Sequence, residues 1–164
     1  MSIEETTKPI HSTNDVSLYN YLPAKDYSEG TDITIATDAN GIYNTQQILK
    51  FNKDKDSNTN DYVVPYCVNY TFPNGEKNGY LPAIKQALTI MANYVEVNNC
   101  LTSIGKPIMR TLQLESSTPG PNLQGVGHMW HAQIANGSLS LTRVYYWSGF
   151  DTSYYFRVIS DFNI

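Results

Sequence analysis

Basic residues are scarce in this sequence: 11 Lys and Arg stand against 15 Asp and Glu over 164 positions, a formal net charge of −4. They are also scattered, and phosphate binding needs clustered cations, so neither nucleic acid nor an anionic membrane surface is expected as a partner. Long hydrophobic runs are missing as well. No stretch approaches the roughly 20 apolar residues of a membrane span, and no membrane insertion is expected. The opening residues, MSIEETTKPIHSTND, are acidic and polar where a secretory signal needs basic and then apolar residues. The sequence therefore predicts a soluble chain without an export signal, compatible with a fragment of a larger exported protein or with a virion component made in a host cytoplasm.

Cysteine is limited to Cys67 and Cys100, which could pair or stay free. Cys67 lies in an alternating, strand-like run over residues 62–70 and Cys100 on a helical apolar stripe, positions that favour two buried free thiols. Internal repeats, low-complexity tracts and a glycine-rich phosphate loop are all absent; the isolated glycines precede neither a helix nor a Lys-Ser/Thr pair.

What is present fits one domain. A chain of this length buries roughly 70% of the surface its unfolded form exposes, and 41% of the residues are hydrophobic. Residues 1–15 offer no periodic apolar face and read as an N-terminal arm, with a single domain over 16–164. Residues 16–22 and 32–36 look like short strands, and Asp38-Ala39-Asn40-Gly41 is a turn signal. Asn44 is placed to cap a short helix carrying Ile48, Leu49 and Phe51 on one side, with Lys50 and Lys53 near its negative end; the helix stops in DKDSNTND. Over residues 83–103, Ile84, Leu88, Met91 and Val95 step by four, three and four, and Val97, Cys100, Leu101 and Ile104 continue at helical intervals. The stripe slips between Val95 and Val97, which predicts two helices or a kink near Asn93 or Glu96. Gly105 supplies a left-handed cap and Pro107 prevents continuation.

Beyond Pro107 the helical period is lost. Residues 108–114, 131–135, 139–146 and 154–159 alternate or are rich in aromatic and branched side chains, separated by Pro119-Gly120-Pro121, Gly125, Gly127, Asn136-Gly137 and Ser148-Gly149. Asn136-Gly137 is the preferred pair for a two-residue hairpin turn. Helices followed by an antiparallel meander indicate an α+β fold rather than alternating α/β.

Coherent chemistry is hard to assemble from these residues. His128-Met129-Trp130-His131 has an HxxH spacing, but the flanking glycines and strand-like run argue against the helix a metal site would need. Asp54, Asp56, Asn58 and Asn60 alternate like a calcium loop, yet Thr59 stands where an EF-hand has glycine and Pro65 where it has glutamate. Ser116 and Ser117 lie in no nucleophile elbow, and Glu115, Asp151 and Asp161 fall in separate segments. No enzyme activity, metal site or cofactor is expected. Residues 116–163 are instead dominated by Tyr, Trp, Ser, Gly, Asn and Asp, a palette that gives large contact area at low entropic cost, as in antibody paratopes.

The order of segments adds to this reading. Gly79-Tyr80-Leu81-Pro82 opens a helix, followed by Val97-Asn98-Asn99-Cys100-Leu101, Ser116-Ser117-Thr118, Asn136-Gly137-Ser138 and a closing Tyr154-Tyr155-Phe156-Arg157-Val158. This mosaic, covering about residues 38–162, resembles the C-type-lectin-fold domains of the formylglycine-generating-enzyme-like branch. Such domains occur in gut bacterial surface proteins, phage proteins and the variable proteins of diversity-generating retroelements. The resemblance implies a C-type-lectin-like fold, helices followed by a twisted antiparallel sheet with long loops, whose last strands and loops present a ligand surface. The branch's catalytic cysteine pair and the calcium-dependent sugar signatures have no counterpart here.

Together these readings predict a non-enzymatic recognition module on a phage virion or bacterial cell surface, used in receptor binding or adhesion to a protein or glycan. The expected contact residues are His128, Trp130, Tyr145, Tyr146, Trp147, Phe150, Asp151 and Tyr154, the aromatics stacking or filling pockets and Asp151 accepting hydrogen bonds. Within the closing strand, Tyr154, Phe156 and Val158 share one face and Tyr155, Arg157 and Ile159 the other, so this half is expected to be mainly scaffold. The alternative is a capsid-decoration or tail accessory protein that binds neighbouring virion subunits through its N-terminal arm and Tyr-rich face.

Overall fold

Two aspartates decide how the chain enters the domain. In the computed structural model, which describes residues 6–7, 10, 15–55, 62–109, 113–145 and 155–160, the Asp15 carboxylate accepts from Ser17 N at 2.9 Å. Asp32 accepts from Thr34 N at 3.2 Å. Each opens a 3-10 turn, Val16–Asn20 and Ile33–Ile35, where the sequence suggested strands. A side-chain oxygen bonding its own backbone two residues on outcompetes the extended conformation that Val16, Ile33 and Ile35 would otherwise favour.

Helix α1 spans Gly41–Lys55, longer than the expected helix and starting before Asn44. Asp38 again is the reason: its carboxylate accepts from Asn40 N at 3.1 Å and from the Asn44 side-chain amide at 2.8 Å. Asn44 therefore lies inside the helix on its buried face. Ile48 and Phe51 are fully buried as the pattern required, and Lys53 and Lys55 sit at the negative helix end.

Helix α2, Val63–Asn69, replaces the strand expected over 62–70. Val63, Val64 and Cys67 are all at 0% exposure; their spacing makes one helical stripe, and Pro65 sits in the first turn, where its missing N–H costs nothing. Helices α3 (Ile84–Ala92) and α4 (Tyr94–Ser103) break at Asn93, as expected. Ile84, Leu88 and Met91 are buried. Val95, the last residue of that stripe, is 63% exposed, and of the second stripe Ile104 is 62% exposed and Cys100 is exposed, so only one of the two cysteines is a core thiol. The break rotates α4 so that Leu101 alone of its residues is buried. Gly105, at φ +66°, donates to the Thr102 carbonyl, and Lys106 N donates to Leu101, the paired bonds of a left-handed helix stop.

The fold is α+β. Strands β2 (Gln113–Pro119), β3 (His128–Ala135) and β4 (Ser138–Tyr145) form an antiparallel sheet in that order. Asn136 (φ 51°) and Gly137 (φ 76°) make the tight turn that sets the β3–β4 register. Neighbouring residues of β3 point to opposite faces. Trp130 joins Leu114, Ala132 and Leu141 under α3, whereas Met129 joins a second cluster with Ile48, Phe51, Val63, Val64 and Cys67 from α1 and α2. The outer edge of β4 is covered by Gly30, which exchanges both backbone bonds with Leu141. A two-stranded sheet pairs β1 (Thr6–Thr7) with β5 (Tyr155–Phe156). Phe156, Arg157 and Val158 are buried, and Phe156 and Val158 join the second cluster.

Candidate ligand-binding site

Followed toward its end, one face of the β3–β4 ribbon passes from core to solvent. Leu141 opposite Ala132 is core, Arg143 opposite Trp130 is intermediate, and Tyr145 opposite His128 ends the ladder with Tyr145 43% exposed. Trp130 is the last fully buried layer. Its indole Nε1 donates to the Lys25 carbonyl at 2.8 Å, its ring lies 5.6 Å from that of Tyr27, and the Arg143 guanidinium covers it at 5.7 Å. At 0% exposure it belongs to the scaffold, which corrects its place among the expected contact residues.

Glu29 holds Arg143 in position. One carboxylate oxygen accepts from Arg143 Nη2 at 2.8 Å and the other from Arg143 N at 2.9 Å. These bonds hold the Glu29 carboxyl below its ordinary range, so the pair is ionised and locally neutral. The adjacent Gly30–Leu141 bridge fixes the Glu29 backbone against β4.

His128 packs on Tyr145 with ring centroids 5.0 Å apart and planes inclined by 37°. Its Nδ1 lies 3.0 Å from the Val126 carbonyl, which can only accept, so this nitrogen carries the proton. Burial pushes the His128 pKa down despite the opposing pull of the Val126 and Pro121 carbonyls, and the ring is neutral near pH 7. Its backbone N–H donates to the Tyr19 hydroxyl at 3.1 Å. Gly120 leaves room for this arrangement: a Cβ there would come 3.3 Å from His128 Cβ and 3.5 Å from Trp130 Nε1. Gln124 (φ 54°) and Gly125 (φ 81°) turn the chain sharply between Leu123 and Val126, leaving Leu123 41% exposed at the rim. The result is a hollow of about 230 Å³ lined by Glu29, Leu123, His128, Arg143, Val144 and Tyr145.

Of the expected contact residues, the structure thus brings His128 and Tyr145 together, and Tyr146, Trp147, Phe150, Asp151 and Tyr154 lie outside the described residues. Arg143 went unrecognised although its position two residues before Tyr145 in an alternating strand places both on one face. Glu29, 114 residues away from Arg143, left no sequence signal. Two other hollows, one between Pro65 and Tyr70 and one beside the start of α1, are lined by no ionised side chain.

The serines of β2 and the second histidine of β3 are buried within the fold. On β3, His128 and His131 project from opposite faces and cannot share a metal. Among the described residues no group of His, Cys, Asp and Glu converges as a metal site would require. Ser116 donates to the Trp130 carbonyl, Ser117 to the Pro82 carbonyl, and Thr118 to Asp38, all buried. Glu115 and His131 are cross-strand partners at 3% and 0% exposure. Burial raises the Glu115 carboxyl well above its ordinary value and lowers His131 to about 3. In the calcium-like loop, Asp54 accepts from the Tyr21 hydroxyl at 2.9 Å, while residues 56–61 lie outside the described residues.

No family model, curated protein or solved structure matches the chain. Among the described residues no helix is long and apolar enough to cross a membrane.

Proposed function

We propose that the protein is a non-enzymatic recognition module of C-type-lectin-like fold, displayed on a phage virion or bacterial cell surface, that binds a protein or glycan through the solvent end of the β3–β4 face. The observation that carries this reading is the passage of one sheet face from packed core to the exposed ring of Tyr145, which packs on the buried His128 beside a partly exposed ion pair. A fold gains little from leaving Tyr145 and Leu123 in water, whereas recognition surfaces favour aromatic and arginine side chains. The architecture agrees with the proposed scaffold: helices precede an antiparallel meander, and the closing strand returns to the N-terminal one. Non-enzymatic action is supported by the burial of Ser116, Ser117, Cys67 and His131 away from any hollow described above.

The segment that the accessory-protein alternative would use for attachment is in part committed within the domain, since Thr6–Thr7 pairs with β5 and Ile10 is fully buried. Surface display rests on the resemblance to phage and bacterial surface domains. The test is binding of the purified chain to a panel of bacterial cells. Tyr145→Ala should weaken binding about tenfold or more with the circular dichroism spectrum unchanged; equal binding by the variant would remove this face from the site.

A further inference from the structure

The hollow at the end of β4 has a composition that narrows its ligand. Glu29 and Arg143 cancel in charge and His128 is neutral, so the floor offers no net charge to an ionic group, and a charged ligand would have to compete with an existing ion pair. The pair is still rich in hydrogen-bonding capacity. A guanidinium has five N–H donors, of which Nη2 is engaged by Glu29; on the carboxylate, Oε1 accepts from Arg143 N and from Thr142 Oγ1, and Oε2, which accepts from Arg143 Nη2, has a second acceptor direction. Donor and acceptor therefore lie side by side at the rim, with side-chain exposures of 25% for Arg143 and 43% for Glu29. The hollow is completed by Tyr145, by Val144 between it and Arg143 in the strand, and by Leu123 at the rim.

A flat apolar protein surface laid over this hollow would strip water from the ion pair without replacing its hydrogen bonds, which is costly. A sugar ring replaces them: one hydroxyl accepts from Arg143, its neighbour donates to Glu29, and the C–H face of the ring lies on Tyr145. The volume of about 230 Å³ suits a single six-membered ring.

We infer that the hollow binds a neutral pyranose of a glycan, stacked on Tyr145 and hydrogen-bonded to the Glu29–Arg143 pair, without a metal ion. The inference rests on the recognition reading above and specifies its ligand class. It is tested with the full chain on an array of neutral and acidic oligosaccharides, with and without EDTA. Neutral glycans should be bound equally in both conditions, about tenfold more weakly by Tyr145→Ala and Glu29→Gln, and with little change by Tyr145→Phe. Because Glu29→Gln leaves Arg143 uncompensated, it should shift binding toward acidic glycans. Silence on neutral glycans, loss of signal in EDTA, or equal binding by Tyr145→Ala overturns the inference. Periodate- or protease-treated bacterial cells separate its failure from that of the recognition reading. Tyr145-dependent cell binding that survives periodate and is lost to protease means a protein partner, which refutes the pyranose and keeps the module. No binding to array or cells refutes both.

Discussion

Glu115 and His131 show at the scale of single residues how burial sets opposite limits on stability. The two are cross-strand partners inside the fold, and each is held in its neutral form by the loss of water. His131 titrates near 3 in the folded chain against 6.5 when exposed. The unfolded chain therefore gains a proton first as pH falls below 6.5, and stability is lost toward pH 3, by roughly 5 kcal/mol. Glu115 acts in the other direction. The unfolded chain releases its proton above 4.5 while the folded chain keeps it, so stability is lost as pH rises from 4.5 toward the raised folded value. Thermal melting followed across pH should pass through a maximum between these two limits. Glu115→Gln should flatten the loss on the alkaline side and leave the acid side in place; an unaltered profile would show that Glu115 is ionised in the fold. None of this was legible in the sequence, where Glu115 was one acid among 15 Asp and Glu. Tyr145 and Trp130, by contrast, look alike as strand aromatics. Only the register against Arg143 and His128 shows that Trp130 belongs to the buried scaffold and Tyr145 to the site.

At the scale of elements, the legible parts were those whose signals are local. The α3–α4 break followed from the slip in the apolar stripe, and the Asn136-Gly137 turn from its need for positive φ. The segments over 16–22 and 62–70 were misread for different reasons. In the first, a single Asp15 side-chain bond overrides β-branched preference; in the second, Tyr62, Val64 and Tyr66 imitate a period of two while Val63, Val64 and Cys67 form the buried helical stripe. Helix α3 shows the limit of local reading. Its N-cap residue, Ala83, has no side-chain acceptor, and Ile84 N is satisfied instead by Thr118 Oγ1 at 2.9 Å, from a strand 34 residues away. The same hydroxyl donates to Asp38 at 2.7 Å, tying β2, α3 and the start of α1 together. Thr118→Val keeps the volume and removes both bonds. It should cost about 3 kcal/mol in denaturant unfolding, the sum of a lost cap and a buried hydrogen bond to a charged group. A value near zero would mean that water replaces the hydroxyl.

At the scale of the whole molecule, the site and the scaffold depend on pairings between distant parts of the chain. Glu29 reaches Arg143, Tyr19 reaches His128 and Lys25 reaches Trp130, each across more than 100 residues. The sequence carried the aromatic end of the site because strand alternation is visible locally, and hid its charged end because that end exists only after folding. The N-terminal segment is the clearest case. A stretch without periodicity read as an arm, yet Ile10 is fully buried in the cluster with Leu18, Phe51 and Phe156, and Thr6–Thr7 pairs with the closing strand. Isolated apolar residues in a polar segment leave no period to detect. Removing residues 1–13 therefore acts on the fold itself. Loss of the Ile10 side chain alone should cost about 3 kcal/mol as a buried large-to-small change, and for a chain of this size that lowers the melting temperature by roughly 10 °C. Ile10→Ala, measured by scanning calorimetry, should reproduce most of the effect of the truncation. If the truncated chain melts like the full one, the segment is free to serve neighbouring subunits, and the accessory-protein alternative regains its attachment arm.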